Sequence, residues 1–178
     1  YGLEEVKKQG ILPWATEETY SRLVKAFKEK NKDKIILYTA DLAHYVEDGH
    51  QPQHVTMNHN GQYSNQEGVH FRFEIDMIDM FLPQIESELK SIKPAYVKNI
   101  PQYIFDYLTG SHFYVDLILS ADNDSYERSN KKYDENYFNY LWFRTKQITI
   151  DEFNNGAFAT ASLIYSAWID AGKPELNL

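Results

Sequence analysis

The chain has no cysteine, so it can form neither a disulfide framework nor a thiolate metal site. It also has no apolar run that approaches the roughly 20 residues needed to span a bilayer. Basic residues are the minority, 18 against 26 acidic ones, and the formal charge of −8 disfavours a surface that holds duplex nucleic acid through many phosphates. Any metal site in this chain must do without thiolate ligands.

The residues that are abundant are typical of a packed helical protein. The length of 178 residues is usual for one domain. Hydrophobic residues make up 43% of these positions. Apolar side chains recur at helical spacing, and we predict a single all-α domain over residues 1–178. The helix over 33–49 is apolar around much of its circumference and is expected to be buried and central. The predicted helices cover 16–30 with Thr16 as cap, 33–49, 66–89, 102–120, 135–146 and 151–171, the last closed by Gly172 and Pro174.

Five of the six histidines lie between residues 43 and 74. His44 and Asp48 are four residues apart, as are His70 and Glu74, so each pair emerges on one helix face with about 5–6 Å between Cβ atoms. His54 follows Pro52 on the connection between the two helices. Imidazole and carboxylate together are the ligands that zinc prefers when thiolate is lacking. The spacing therefore predicts a zinc site, in which a metal also partners Asp48, a carboxylate expected to be buried.

A single histidine on an apolar helix is more often a core or surface residue than a ligand. We prefer that reading for His59 and His112. His50 lies two residues after Asp48 and points to a different side, so we expect it beside the ligands or at the surface rather than on the metal. Two other classes stay open for the whole cluster: a module with a structural zinc ion, and a helical interaction domain in which the cluster is polar core.

Three short motifs carry a family resemblance. Their order and spacing resemble the signature of bacterial zinc-dependent phospholipase C and of the related fungal single-strand-specific nucleases. The resemblance is sharp over residues 41–75, and the C-terminal stretch AFATASLIYSAWIDAGKPEL is also similar to bacterial members. The motifs are His44-x-x-x-Asp48, Asp48-x-His50-Gln51-Pro52-x-His54 and Gly68-x-His70-x-x-x-Glu74.

The resemblance implies a mostly helical domain that holds up to three zinc ions in one cleft. It implies hydrolysis of phosphodiester bonds by an exported enzyme, in phospholipids at a membrane surface or in single-stranded nucleic acids. No protein partner is predicted. The set His54, His70 and Glu74 would be the complete protein ligand set of one zinc. His44 and Asp48 would supply half of a second site, with Asp48 bridging to a third.

The family's remaining ligands lie earlier: an N-terminal Trp, a nearby His, then an Asp and another His. The present chain has no His before His44, and its one early Trp, Trp14, is internal. Since Tyr1 begins without a start residue, we expect a preceding segment to supply them, and we expect the 178-residue chain alone to be a weak enzyme with one complete zinc site. The alternative is a degenerate member that acts as a non-catalytic zinc-binding or interaction domain. No general base is assigned.

Overall fold

A computed structural model describes residues 10–176, and all regular structure in that range is helical, which confirms the all-α prediction. A 3₁₀ turn spans Pro52–Val55, and a π turn spans Arg72–Asp76. None of the helices in this range is long and apolar enough to cross a membrane. The α-helices are α1 (Leu12–Lys28), α2 (Lys32–Gly49), α3 (Val69–Phe71), α4 (Met77–Glu88), α5 (Ile100–His112), α6 (Val115–Arg128) and α7 (Glu135–Asp170).

The chain forms two compact units, and the expectation of one domain over 1–178 stays a prediction. Among the described residues, the first unit comprises residues 10–49, Ser91–Leu108 and residues 155–176. The second comprises His50–Lys90 and Thr109–Asn154.

In the first unit, α1 begins four residues before the predicted cap. Pro13 lies in its first turn, where the missing N–H has no helical partner to lose. Thr16 is buried inside the helix and donates its hydroxyl to the Leu12 carbonyl at 2.7 Å, so its prediction as the cap is wrong. The start of α2 has a side-chain cap instead, because the Lys34 backbone N–H donates to Asn31 Oδ1 at 3.0 Å.

Helix α2 buries one face only. Its side chains Ile35, Leu42 and Val46 are buried, whereas Ile36 and Leu37 are exposed. The prediction of a helix buried around much of its circumference is therefore wrong, since single apolar side chains are common on protein surfaces. The core of the first unit is the cluster Tyr20, Leu23, Ala26, Phe27, Ile35, Leu42, Val46, Ile100, Ile104, Ala159, Leu163 and Ala167.

Two predicted helix boundaries are corrected. The helix predicted over 102–120 is broken at residues 113–114, where the Phe113 N–H is shared between the carbonyls of Thr109 and Gly110. The break predicted between 146 and 151 does not occur, and α7 is continuous. Its β-branched run over 148–150 has low helix propensity, but Ile150 is buried in the core, and packing outweighs propensity.

The end of α7 agrees with the predicted stop signal. Gly172 has φ +89°, and the Lys173 N–H donates to the Trp168 carbonyl at 3.0 Å, which closes the helix with a left-handed residue. The core of the second unit, to which the start of α7 contributes, is the cluster Phe73, Met77, Phe81, Ile85, Ile118, Ala121, Tyr137, Phe138, Leu141, Trp142 and Ile150.

The surroundings of Gly49 and Gly110 predict opposite effects of substitution by alanine on the free energy of unfolding. A Cβ at Gly49 would lie 2.5 Å from the Tyr107 ring and 3.0 Å from Leu108, whereas a Cβ at Gly110 meets no described atom within 4 Å. We expect Gly49→Ala to lower the free energy of unfolding by about 1–3 kcal/mol through overpacking. We expect Gly110→Ala, its matched control inside α5, to raise it by about 0.5–1 kcal/mol. Urea unfolding of both variants measures the difference, and equal effects would contradict the tight packing at Gly49.

Candidate metal centre

The 3₁₀ turn Pro52–Val55 in the second unit positions His54. Gln51 caps it through its side-chain oxygen, which accepts the Gln53 N–H at 3.2 Å. The His54 N–H donates to the Gln51 carbonyl at 2.9 Å. The ring of His112, from the end of α5, hydrogen-bonds through Nδ1 to the Val55 carbonyl at 2.9 Å. The backbone on both sides of His54 is therefore held in place.

The polar loop between His54 and α3 is braced by its own amide side chains. Asn58 Oδ1 accepts the Tyr63 N–H at 2.8 Å, and Asn60 Oδ1 accepts the Gly68 N–H at 3.0 Å. Gln62 donates to the Met57 carbonyl at 2.7 Å. These side chains build the turn, which agrees with the preference of asparagine for such positions.

The next two candidate ligands lie on one helical segment that begins at Gly68. The φ of +86° at Gly68 is a left-handed conformation that a side chain would strain, and it lets the chain enter α3 directly. His70 is in α3, and Glu74 follows in the π turn, where the Met77 N–H donates to the Arg72 carbonyl five residues back. Such π turns occur frequently at functional sites.

Three side chains of the second unit converge on one point. His54 Nε2 lies 3.0 Å from His70 Nε2 and 3.3 Å from Glu74 Oε2, and His70 Nε2 lies 2.5 Å from the same oxygen. Within residues 10–176 this is the one group of three or more histidine or acidic side chains whose ligand atoms are all close to one another. The structure therefore brings together the three residues that the resemblance assigns to one ion.

The geometry and the chemistry of this group fit a zinc ion. Tetrahedral bonds of about 2.0–2.2 Å separate ligand atoms by about 3.3–3.6 Å. The separations here are 2.5, 3.0 and 3.3 Å, so the side chains would spread apart by up to about 0.8 Å around an ion. Two ring nitrogens that face each other at 3.0 Å both offer lone pairs unless one carries a proton, so the arrangement suits a shared cation. The side chains are 24%, 28% and 33% exposed, so one side of the group is open to solvent.

The two histidines favour the ionised form of the Glu74 carboxyl group. Hydrogen bonds from His54 and then from His70 lower the pKa of Glu74 well below its ordinary value, against the burial that would raise it. A smaller contribution in the same direction comes from Gln51. Glu74 is therefore ionised at neutral pH and supplies one negative charge beside two imidazoles.

His44 and Asp48 lie on α2 in the first unit and form a pair with 3.4 Å between Nε2 and Oδ2. The His44 side chain is 71% exposed and that of Asp48 is 29% exposed. The expectation of a buried Asp48 carboxylate is therefore wrong, because the end of α2 leaves this face partly open. The two residues offer two ligand atoms to an ion and belong to no larger ligand group in the described part of the chain.

Of the remaining histidines, His50 is buried in the second unit, which removes the surface alternative for it. His59 is exposed, and its ring is edge-on to that of His70 with 6.3 Å between centroids. Gln53, beside His54, is fully buried, and its side-chain amide has no hydrogen-bond partner within residues 10–176. Sequence reasoning missed Gln53 and Arg72 and named Gln51 only as part of a motif, because nothing in local spacing distinguishes these residues from ordinary polar ones.

The chain has no match among family models, curated proteins or solved structures.

The lowered pKa of Glu74 predicts how the metal-free protein depends on pH. A carboxyl group whose pKa is depressed by folding stabilises the protein above its unfolded pKa, about 4.3, and loses that contribution as pH falls through the folded pKa. We expect Glu74→Gln to lower the free energy of unfolding by about 1 kcal/mol above pH 5, and the deficit to shrink below about pH 4.

Chemical denaturation in the presence of chelator at several pH values measures this deficit. Glu67→Gln is the matched control, since Glu67 is an exposed carboxylate in the same loop with no ion pair among the described residues. A deficit that stays constant from pH 7 to pH 3 would show that the carboxylate of Glu74 is not held by the two histidines.

Proposed function

We propose that the protein is a zinc-dependent hydrolase of phosphodiesters, with His54, His70 and Glu74 as the protein ligands of one zinc ion. The observation that carries the proposal is the convergence of two ring nitrogens and one carboxylate oxygen within 3.3 Å of one another. Cysteine-free zinc sites with this ligand mixture are common in hydrolases. The substrate class comes from the family resemblance of the motifs over 41–75.

The three residues have distinct roles in this proposal. The imidazoles of His54 and His70 are neutral donors, and Glu74 contributes one negative charge, so a site loaded with zinc keeps a net positive charge that attracts a phosphate group. Bound zinc supplies Lewis-acid stabilisation of a phosphoryl oxygen and a water of lowered pKa. The hydrogen bond between His112 and Val55 keeps His54 oriented toward the other two ligands.

The number of ligands favours a catalytic ion over a structural one. Structural zinc sites are closed by four protein ligands, whereas catalytic sites have three and an open position. Within residues 10–176 the group has three, and its side chains are about a quarter to a third exposed. Phospholipid and single-stranded nucleic acid both present the phosphodiester that such a site would bind.

A second candidate is a non-catalytic zinc-binding domain. It is favoured by the pair His44 and Asp48, which offers two ligand atoms where a firmly bound second ion needs more. Hydrolysis by a cluster of ions places the phosphate between cations, and a single occupied site cannot do so in the same way.

The first experiment is zinc binding. We expect one tightly bound zinc ion per chain, and a rise in Tm of about 5–10 °C when free zinc is about 100 times its Kd. His70→Ala should lose both the ion and the rise in Tm. His59→Ala is the control, since it removes a neighbouring exposed histidine that is outside the ligand group. Unchanged zinc binding in His70→Ala would disprove this ligand set.

The second experiment separates the two candidate functions. Hydrolysis of a chromogenic phosphodiester, a phospholipid and single-stranded DNA is measured with zinc and after chelation. The 178-residue chain is compared with a chain extended at its N-terminus by the segment that the resemblance predicts. We expect weak zinc-dependent hydrolysis by the shorter chain and a rate at least tenfold higher for the longer one. No hydrolysis by either chain would favour the non-catalytic candidate.

A further inference from the structure

We propose that Arg72, held by Asp122 and Tyr137, is the positioning residue that sets the rotation of the segment bearing His70 and Glu74, and thereby the zinc affinity of the site. This inference rests on the proposed function. Arg72 contacts none of the three ligand side chains in the described hydrogen bonds, and it acts through the backbone on both sides of it.

The Asp122 carboxylate, on α6, is surrounded by donors. Its Oδ1 accepts from Arg72 Nε at 3.0 Å, from Arg72 Nη2 at 2.8 Å and from the hydroxyl of Tyr137 on α7. Its Oδ2 accepts from the Gln66 side-chain amide at 2.8 Å, and the same amide donates to the Leu119 carbonyl at 2.7 Å. Both oxygens are therefore satisfied, although the side chain is 2% exposed.

The other side of the guanidinium is tied to the end of the loop before α3. Arg72 Nη1 donates to the Glu67 carbonyl at 2.8 Å, and Nη2 donates to the Gln66 carbonyl at 3.2 Å. Its Cζ lies 4.1 Å from the centroid of the Tyr133 ring, a cation–π distance. A Cβ at Gly68 would come within 2.9 Å of Nη1, so the loop passes close to the guanidinium. One side chain thus joins α6, α7 and the chain just before His70.

The position of Arg72 explains why this anchor controls the ligands. Arg72 is two residues after His70 and two residues before Glu74. Two residues correspond to about 200° around a helix, so Arg72 lies on the side of the segment opposite to both ligands. A rotation of about 10° about the helix axis moves an atom about 6 Å from that axis by about 1 Å. Zinc–ligand bonds vary in length by only about 0.2 Å, so a displacement of about 1 Å must be taken up by rotation of the side chains or is lost as affinity.

His54 is held independently of this anchor. Its 3₁₀ turn is fixed by Gln51 and by the ring of His112, and neither contacts Arg72 in the described hydrogen bonds. The two parts of the ligand group are therefore mounted on separate supports. Their mutual distance depends on the rotation of α3 and the π turn, which Arg72 and Asp122 determine.

The test is Arg72→Lys, which keeps the positive charge beside Asp122 but loses the planar fork that reaches the Gln66 and Glu67 carbonyls. The control is Arg144→Lys, because Arg144 pairs with Asp124 between the same two helices, α7 and α6, at an exposed position. Zinc Kd is measured by competition with a chromogenic chelator, and ligand geometry by the visible spectrum of bound cobalt(II). The ring ¹⁵N shifts of His54 and His70 are recorded in the metal-free protein, and circular dichroism verifies folding.

We expect Arg72→Lys to weaken zinc binding at least tenfold, to change the cobalt spectrum and to move both sets of ring shifts, while Arg144→Lys leaves all three within error. If Arg72→Lys does not fold, Tyr137→Phe replaces it, since it removes one hydroxyl from Asp122 and preserves the ring. We expect this variant to weaken zinc binding about threefold and to move the ring shifts. A folded variant with wild-type Kd and wild-type ring shifts overturns the inference.

A wild-type protein that binds no zinc would defeat the proposed function alone. The ring ¹⁵N shifts of the metal-free protein then decide the positioning role by themselves: shifts that change in Arg72→Lys support it, and unchanged shifts overturn it.

Discussion

The buried ion pair between Arg72 and Asp122 is the interaction on which the second unit most depends. The two side chains are 9% and 2% exposed, and removing such charges from water costs several kcal/mol per ion unless each is fully hydrogen-bonded. Burial alone would lower the pKa of Arg72, but the Asp122 carboxylate reverses the effect and raises it. The hydrogen bonds of Arg72 and Asp122 reach the loop before α3, the π turn, α6 and α7, so the pair links these four elements at one point.

The candidate ligands His54, His70 and Glu74 form one hydrogen-bonded group in the same unit as this ion pair. A carboxylate between two imidazoles is stable without metal when the rings donate to it. The same three atoms lie close enough together to become ligands of one ion once the ring nitrogens give up their protons. The group is half-buried, so charge interactions are stronger than at a fully exposed surface while small molecules still have access. A bound cation would take the place of the hydrogen bonds among the three side chains.

Part of this arrangement can be predicted from the sequence, and the reason differs from residue to residue. The spacing of His70 and Glu74 is local, and helical periodicity alone places them on one face. The network around Arg72 is not local, since Asp122 lies 50 residues further along the chain. The π turn is equally hidden, because its single extra residue leaves the apolar spacing almost unchanged. The continuity of α7 through residues 148–150 depends on core packing, which propensity does not describe.

The π turn that contains Glu74 also sets which side chains of α4 face the hydrophobic core. Phe73, Met77, Phe81 and Ile85 are buried at intervals of four residues, and the wider turn at Arg72–Asp76 helps a strict four-residue interval to stay on one side. Deleting one residue there would leave an ordinary α-helical turn and would keep Met77, Phe81 and Ile85 on nearly the same face. A one-residue deletion within the π turn should therefore disturb the core less than the same deletion inside α4, where it would turn everything downstream by about 100°.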